Sequence, residues 1–67
     1  MLKVVVFDRD QMHKDDYPGP EEFYADDIHT DEFGQMEFFN VKDHEIHKYH
    51  PDYFYIDIYP AEVIPDA

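Results

Sequence analysis

Residues 18–28, PGPEEFYADDI, decide what kind of fold this chain has, because the apolar segments on either side of them read as strands. Pro18-Gly19-Pro20 offers a helix start. Gly19 can act as N-cap, and Pro20 fits the first helical position, where its missing N–H costs no hydrogen bond. Glu21 and Glu22 then fall in the first turn, where the helix dipole favours negative charge. Phe23, Tyr24 and Ile28 make a partial apolar stripe, and Thr30-Asp31-Glu32-Phe33-Gly34 reads as a turn. The segment therefore predicts a helix of about two to three turns.

Outward from that segment the chain is strand-like. Leucine occurs only at Leu2, and Val, Ile, Phe and Tyr supply nearly all the large apolar volume, which favours strands over a helical bundle. Leu2 to Phe7 is a continuous apolar run suited to an interior position of a sheet, ended by Asp8, Arg9 and Asp10. Gln35 to Lys42 reads as a second strand, and the change of parity among Met36, Phe38, Phe39 and Val41 points to a bulge or to burial on both faces. In the third, Tyr53 to Tyr59, Phe54, Ile56 and Ile58 share one face as core, while Tyr53, Tyr55, Asp57 and Tyr59 share the other. Pro60 and Pro65 stop regular structure and leave 61–67 as a short tail. The fold class predicted is α+β: a single compact domain over 1–67, with a small three-stranded, mainly antiparallel sheet and one short helix against it. The order is strand, helix, strand, strand.

A chain of 67 residues buries only about 60% of the surface its unfolded form exposes, so its core is small and multi-step catalysis in a deep cleft is not expected. Cysteine is absent, which removes disulfides and thiolate metal sites. The start, MLKVVVFD, is far short of a signal peptide or membrane span, so the sequence reads as a soluble cytoplasmic protein. Seventeen acidic residues against five basic ones give a formal charge of -12. Even so, 43% of the chain is hydrophobic and 18% aromatic, enough to set it apart from acidic disordered tails. Such a charge repels nucleic acid and anionic membranes and steers the protein toward a basic partner, less so as salt rises.

The charge is unevenly placed. Asp15-Asp16, Glu21-Glu22, Asp26-Asp27 and Asp31-Glu32 put eight carboxylates within residues 15–32, and no Lys or Arg occurs from Asp15 through Val41. One charge per roughly 3.4 Å of a helical path would match the axial charge spacing of a DNA strand, although Pro18-Gly19-Pro20 rules out a single straight helix. Two exposed charges about 7 Å apart repel by roughly 0.6 kcal/mol in water before screening, and a domain of this size is stable by only about 3 to 10 kcal/mol. Solubility alone does not require so long a stretch without a cation. An acidic patch beside tyrosines is better suited to a basic cleft. Tyr is enriched at interface hot spots, and carboxylates meet Arg and Lys in charge-assisted hydrogen bonds.

In size and composition the chain resembles the small acidic inhibitors encoded by phages and mobile elements, among them nucleic-acid mimics, anti-restriction proteins, glycosylase inhibitors and many anti-CRISPR proteins. The resemblance covers the whole chain as composition and no shared motif, so no residue role carries over. It implies a stoichiometric inhibitor that occupies the basic nucleic-acid-binding site of a host defence or DNA-processing complex. The expected contact residues are Asp15, Asp16, Glu21, Glu22, Asp26, Asp27, Asp31, Glu32, Tyr24, Tyr53, Tyr55 and Asp57. The expected partner is a basic nucleic-acid-binding protein or complex, with no direct nucleic acid and no membrane, and a homodimer is compatible with the pattern. An immunity protein or antitoxin for a basic nuclease shares this physics.

Two other motifs carry chemistry. Val4-Val5-Val6-Phe7-Asp8-Arg9-Asp10 resembles the first motif of haloacid-dehalogenase-type phosphatases, which would make Asp8 the nucleophile and Asp10 the acid and base, with magnesium neutralising charge. Gln11-Met12-His13 departs from that pattern, and the chain is too short for that α/β fold. His44-Glu45-Ile46-His47-Lys48-Tyr49-His50 spaces three histidines for a metal site on a helix, with Asp43 or Glu45 as an oxygen ligand, but Lys48 and Pro51 interrupt it. The reading preferred here is of exposed histidines in a strand connection. Neither catalysis nor a cofactor or metal is expected.

Overall fold

A computed structural model of the chain describes residues 1–61. Six strands form two antiparallel three-stranded sheets, with no helix among the described residues. They are β1 (Leu2–Asp8), β2 (Glu21–Ala25), β3 (Ile28–Thr30), β4 (Met36–Asn40), β5 (Glu45–Tyr49) and β6 (Phe54–Pro60). One sheet has the order β2-β1-β6 and the other β3-β4-β5. The fold is thus all-β, and both the α+β expectation and the single three-stranded sheet are corrected.

The predicted helix is β2. Gly19 has φ 105, in the left-handed region, whereas an N-cap sits in the extended one, so Gly19 turns the chain rather than capping it. Phe23 and Ala25 then point inward and Glu22 outward, a period of two. The deciding demand comes from β1. As the central strand it presents N–H and C=O groups on both edges, and every buried one needs a partner. β2 pairs with one edge from Leu2↔Ala25 to Val6↔Glu21, and β6 pairs with the other from Leu2↔Pro60 to Asp8↔Phe54. A lone helix of two to three turns is marginal in water and would have left one edge of β1 open.

β1 itself takes the interior position that its apolar run predicts. Beyond the reach of β2, the Asp8 N–H donates to the Tyr17 hydroxyl at 3.1 Å, tying down the connection. β4 needs no bulge: it pairs residue for residue with β5 from Met36↔Tyr49 to Asn40↔Glu45, so Phe38 faces the core and Phe39 the outside. The segment expected to be a histidine-bearing connection is itself a strand, β5. Pro60 is the last residue of β6, where an edge strand tolerates a missing N–H on its open side, and the next residue, Ala61, donates to the Met1 carbonyl at 2.9 Å. The tail expected over 61–67 lies, from residue 62 on, outside the described residues.

The inner faces of the two sheets meet in a core of Val4, Val6, Phe23, Ala25 and Phe38, with Ile28, Tyr49, Phe54 and Ile56 packed against it. Phe23 is its hub: its ring centroid lies 5.2 Å from that of Phe38, 4.5 Å from His47 and 5.8 Å from Tyr49. Ile58, expected in the core with Phe54 and Ile56, is 43% exposed. The sheets are also joined at a corner. The Tyr24 N–H donates to the buried Asn40 Oδ1 at 3.0 Å, and the Val41 N–H donates to the Tyr24 carbonyl at 2.8 Å, which closes the outer edge of β2.

Candidate functional site

The acidic stretch does not form one surface. Asp15 and Asp16 are exposed in the turns between β1 and β2. Glu21 and Glu22 open β2, where the Tyr49 hydroxyl donates to Glu21 at 3.0 Å and Lys3 Nζ lies 2.6 Å from Glu22. That contact holds the Lys3 ammonium above its ordinary range, and burial of the Tyr49 phenol, with Glu21 beside it, pushes the Tyr49 pKa up. Five strand residues cover about 16 Å, so Asp26 and Asp27 lie at the far end of β2 from Glu21. β3 then returns the chain toward the hairpin that carries Asp31 and Glu32. Asp31 builds that hairpin: its Oδ1 accepts from the Phe33 and Gln35 N–H groups, both at 2.9 Å. Glu32 is exposed at the tip.

The tyrosines of β6 and the residues beside them on β1 and β2 make the outer face of the first sheet. Register sets them in rows: Tyr24, Lys3 and Tyr59; then Glu22, Val5 and Asp57; then Phe7 and Tyr55. Tyr55 and Asp57 are exposed there as the alternation predicts, and Tyr53 is exposed just before β6. Tyr24 is only 8% exposed and offers a partner little surface. Lys42 Nζ lies 5.7 Å from its ring centroid, and the Arg9 guanidinium lies 4.8 Å from that of Tyr55. Three of the five cations, Lys3, Arg9 and Lys42, thus sit on or beside this face.

The outer face of the second sheet holds residues that the sequence reading passed over. His29, Glu37 and Lys48 form one cross-strand row, with Glu37 2.9 Å from His29 Nε2 and 3.2 Å from Lys48 Nζ. The Lys48 ammonium, helped by His29, holds the Glu37 carboxyl below its ordinary range. Beside this row, Phe39 and Ile46 stand directly opposite each other, 46% and 63% exposed. With Val41, Asp26 and Asp27 they line a cleft of about 240 Å³. The signal was present in the sequence: the parity change at Phe38-Phe39 and the alternation through Glu45-Ile46-His47 both send one large apolar residue outward.

The three histidines are dispersed. His44 occupies a turn with φ 60, His47 points inward against Phe23 and Phe38, and His50 Nδ1 accepts the Asp52 N–H at 3.1 Å. A different trio comes together instead, in which one ligand atom each from Asp43, Glu45 and His47 lies within 4.8 Å of the others. His47 Nε2 is 2.8 Å from Asp43 Oδ2. Burial pushes the Asp43 carboxyl up, but hydrogen bonds from the Asn40 side chain, His47 and the Glu45 N–H outweigh it and leave Asp43 below its ordinary range. Such nitrogen and oxygen donors suit a divalent transition metal. The Asp8 carboxylate accepts the Asp10 N–H at 3.0 Å, and the chain beyond returns as antiparallel β2 rather than through a crossover helix, unlike the phosphatase motif it resembles.

No known protein family, curated protein or solved structure matches the chain. Roles for its residues therefore rest on geometry and charge. No helix among the described residues is long and apolar enough to cross a membrane.

Proposed function

We propose that this protein is a stoichiometric inhibitor that binds a basic nucleic-acid-binding protein or complex and occupies its nucleic-acid site. One observation carries this reading. Asp15, Asp16, Asp26, Asp27, Glu32 and Asp57 are exposed, and none of them enters an ion pair among the described residues. A small domain that leaves so much like charge unneutralised bears a stability cost, and contact with a surface rich in Arg and Lys would relieve it. The carboxylates lie in three separate turns and on β6, so a partner that met several of them would contact more than one element. Tyr53, Tyr55 and Asp57 add exposed aromatic and acidic contacts on one side. Affinity capture from host lysate on the immobilised protein tests this. The reading expects a nucleic-acid-binding protein that is released as salt is raised, and retention of no such protein contradicts it.

A second reading, a small protein that binds a divalent metal, is favoured by the Asp43, Glu45 and His47 trio alone. Stoichiometric zinc binding with a rise in melting temperature that His47→Ala abolishes would support it.

A further inference from the structure

We propose that the cleft on the outer face of the second sheet is an arginine site, in which Phe39, Val41 and Ile46 receive the side-chain stem and Asp26 and Asp27 receive the guanidinium. The proposal rests on the proposed function for the source of that arginine, a basic partner protein. Three observations define the occupant. Phe39 and Ile46 are a facing pair of large apolar side chains left open to solvent, on a sheet face where alternation would otherwise place polar groups. Three carboxylates line the cleft, and Glu37 is already held by His29 and Lys48, so the uncompensated charge belongs to Asp26 and Asp27. Asp27 spends Oδ1 on the Ile28 N–H at 2.9 Å and keeps Oδ2 for a partner. At about 240 Å³ the cleft falls below the range of drug-sized ligand sites, roughly 300–1,000 Å³, and suits one long side chain.

Arginine fits these features better than lysine. Its planar, weakly hydrated guanidinium can lie against the Phe39 ring while its fork of N–H donors meets the carboxylates, whereas an ammonium is a compact, strongly hydrated point charge. A second copy of this chain is a poor occupant, since each copy brings a formal charge of -12.

The test is an NMR titration of the isotopically labelled protein with three short blocked peptides that differ only in a central arginine, lysine or citrulline. Saturable shifts centred on Phe39, Ile46 and Asp27 are expected, strongest for arginine and weakest for the neutral citrulline. Phe39→Thr with Ile46→Thr places a β-branched residue of high strand propensity at each of two exposed strand positions, so the fold should survive while arginine binding weakens by about tenfold. Asp26→Asn with Asp27→Asn should weaken it comparably, because the Asn at 27 can still accept the Ile28 N–H. Shifts spread evenly over Asp15, Asp16 and Glu32, or equal binding of citrulline, would overturn the arginine site. The two readings fail separately. Arginine binding at the cleft without capture of a nucleic-acid-binding protein removes the proposed function alone, and capture undiminished by the Thr pair removes the cleft alone.

Discussion

The Asn40 side chain is 5% exposed, and its Oδ1 satisfies the Tyr24 N–H at the corner where β2 meets β4. Asn40→Ala leaves that N–H without its acceptor, so it should destabilise the protein by about 1–3 kcal/mol, measured by denaturant unfolding. The Glu37 carboxyl gives a pH test. Lys48 holds it below the ordinary range, near 4.5, so the folded state keeps it charged at a lower pH than the unfolded state does. Its contribution is present above that range and lost as pH falls through it. Glu37→Gln should therefore show a shallower loss of melting temperature than the unchanged protein between about pH 5 and pH 3. At this scale the sequence was only partly legible. Tyr55 and Asp57 could be placed outward from alternation alone, but Asn40 looks like any polar residue at a strand end. Tyr24 reads as an interface residue until Lys42 and the β2–β4 corner cover it.

The central position of β1 was legible because an apolar run without polar interruption suits a strand with neighbours on both sides. β2 was not, because Pro-Gly-Pro followed by two glutamates is also a good helix start, and only the open edge of β1 settles the choice. β3, three residues long, has too little alternation to be read at all. Mutation separates the inward and outward residues of these elements. Phe23→Ala removes the hub of the core and should cost about 3–5 kcal/mol, comparable with the whole stability of a chain this size, so thermal unfolding should find little or no folded protein. Tyr55→Ala, on the outer face against Arg9, should cost less than about 1 kcal/mol. If Tyr55→Ala also unfolds the protein, the tyrosine face is a second core layer, and the proposed interface reduces to the carboxylates and the cleft.

The whole molecule is shaped by a charge that its fold distributes rather than neutralises. The sequence shows the excess of acid plainly but suggests a single patch, because neighbouring doublets look contiguous until β2 and β3 carry them to opposite ends. The cleft built by Phe39, Ile46, Asp26 and Asp27 depends on pairing between β4 and β5 and on the preceding β2–β3 turn, so no local motif announces it. Converting Asp15, Asp16, Asp26, Asp27 and Glu32 to their amides should leave the melting temperature unchanged or raise it, most at low salt, and should remove most of the salt dependence of partner binding. The central claim, that this acidic surface takes the place of nucleic acid on its partner, is tested most directly by competition. The protein captured from host lysate is challenged with duplex and single-stranded nucleic acid while its release from the immobilised chain is followed. Mutually exclusive binding is predicted, with release by nucleic acid at constant ionic strength. A captured partner that holds this chain and its nucleic acid at the same time would contradict the account.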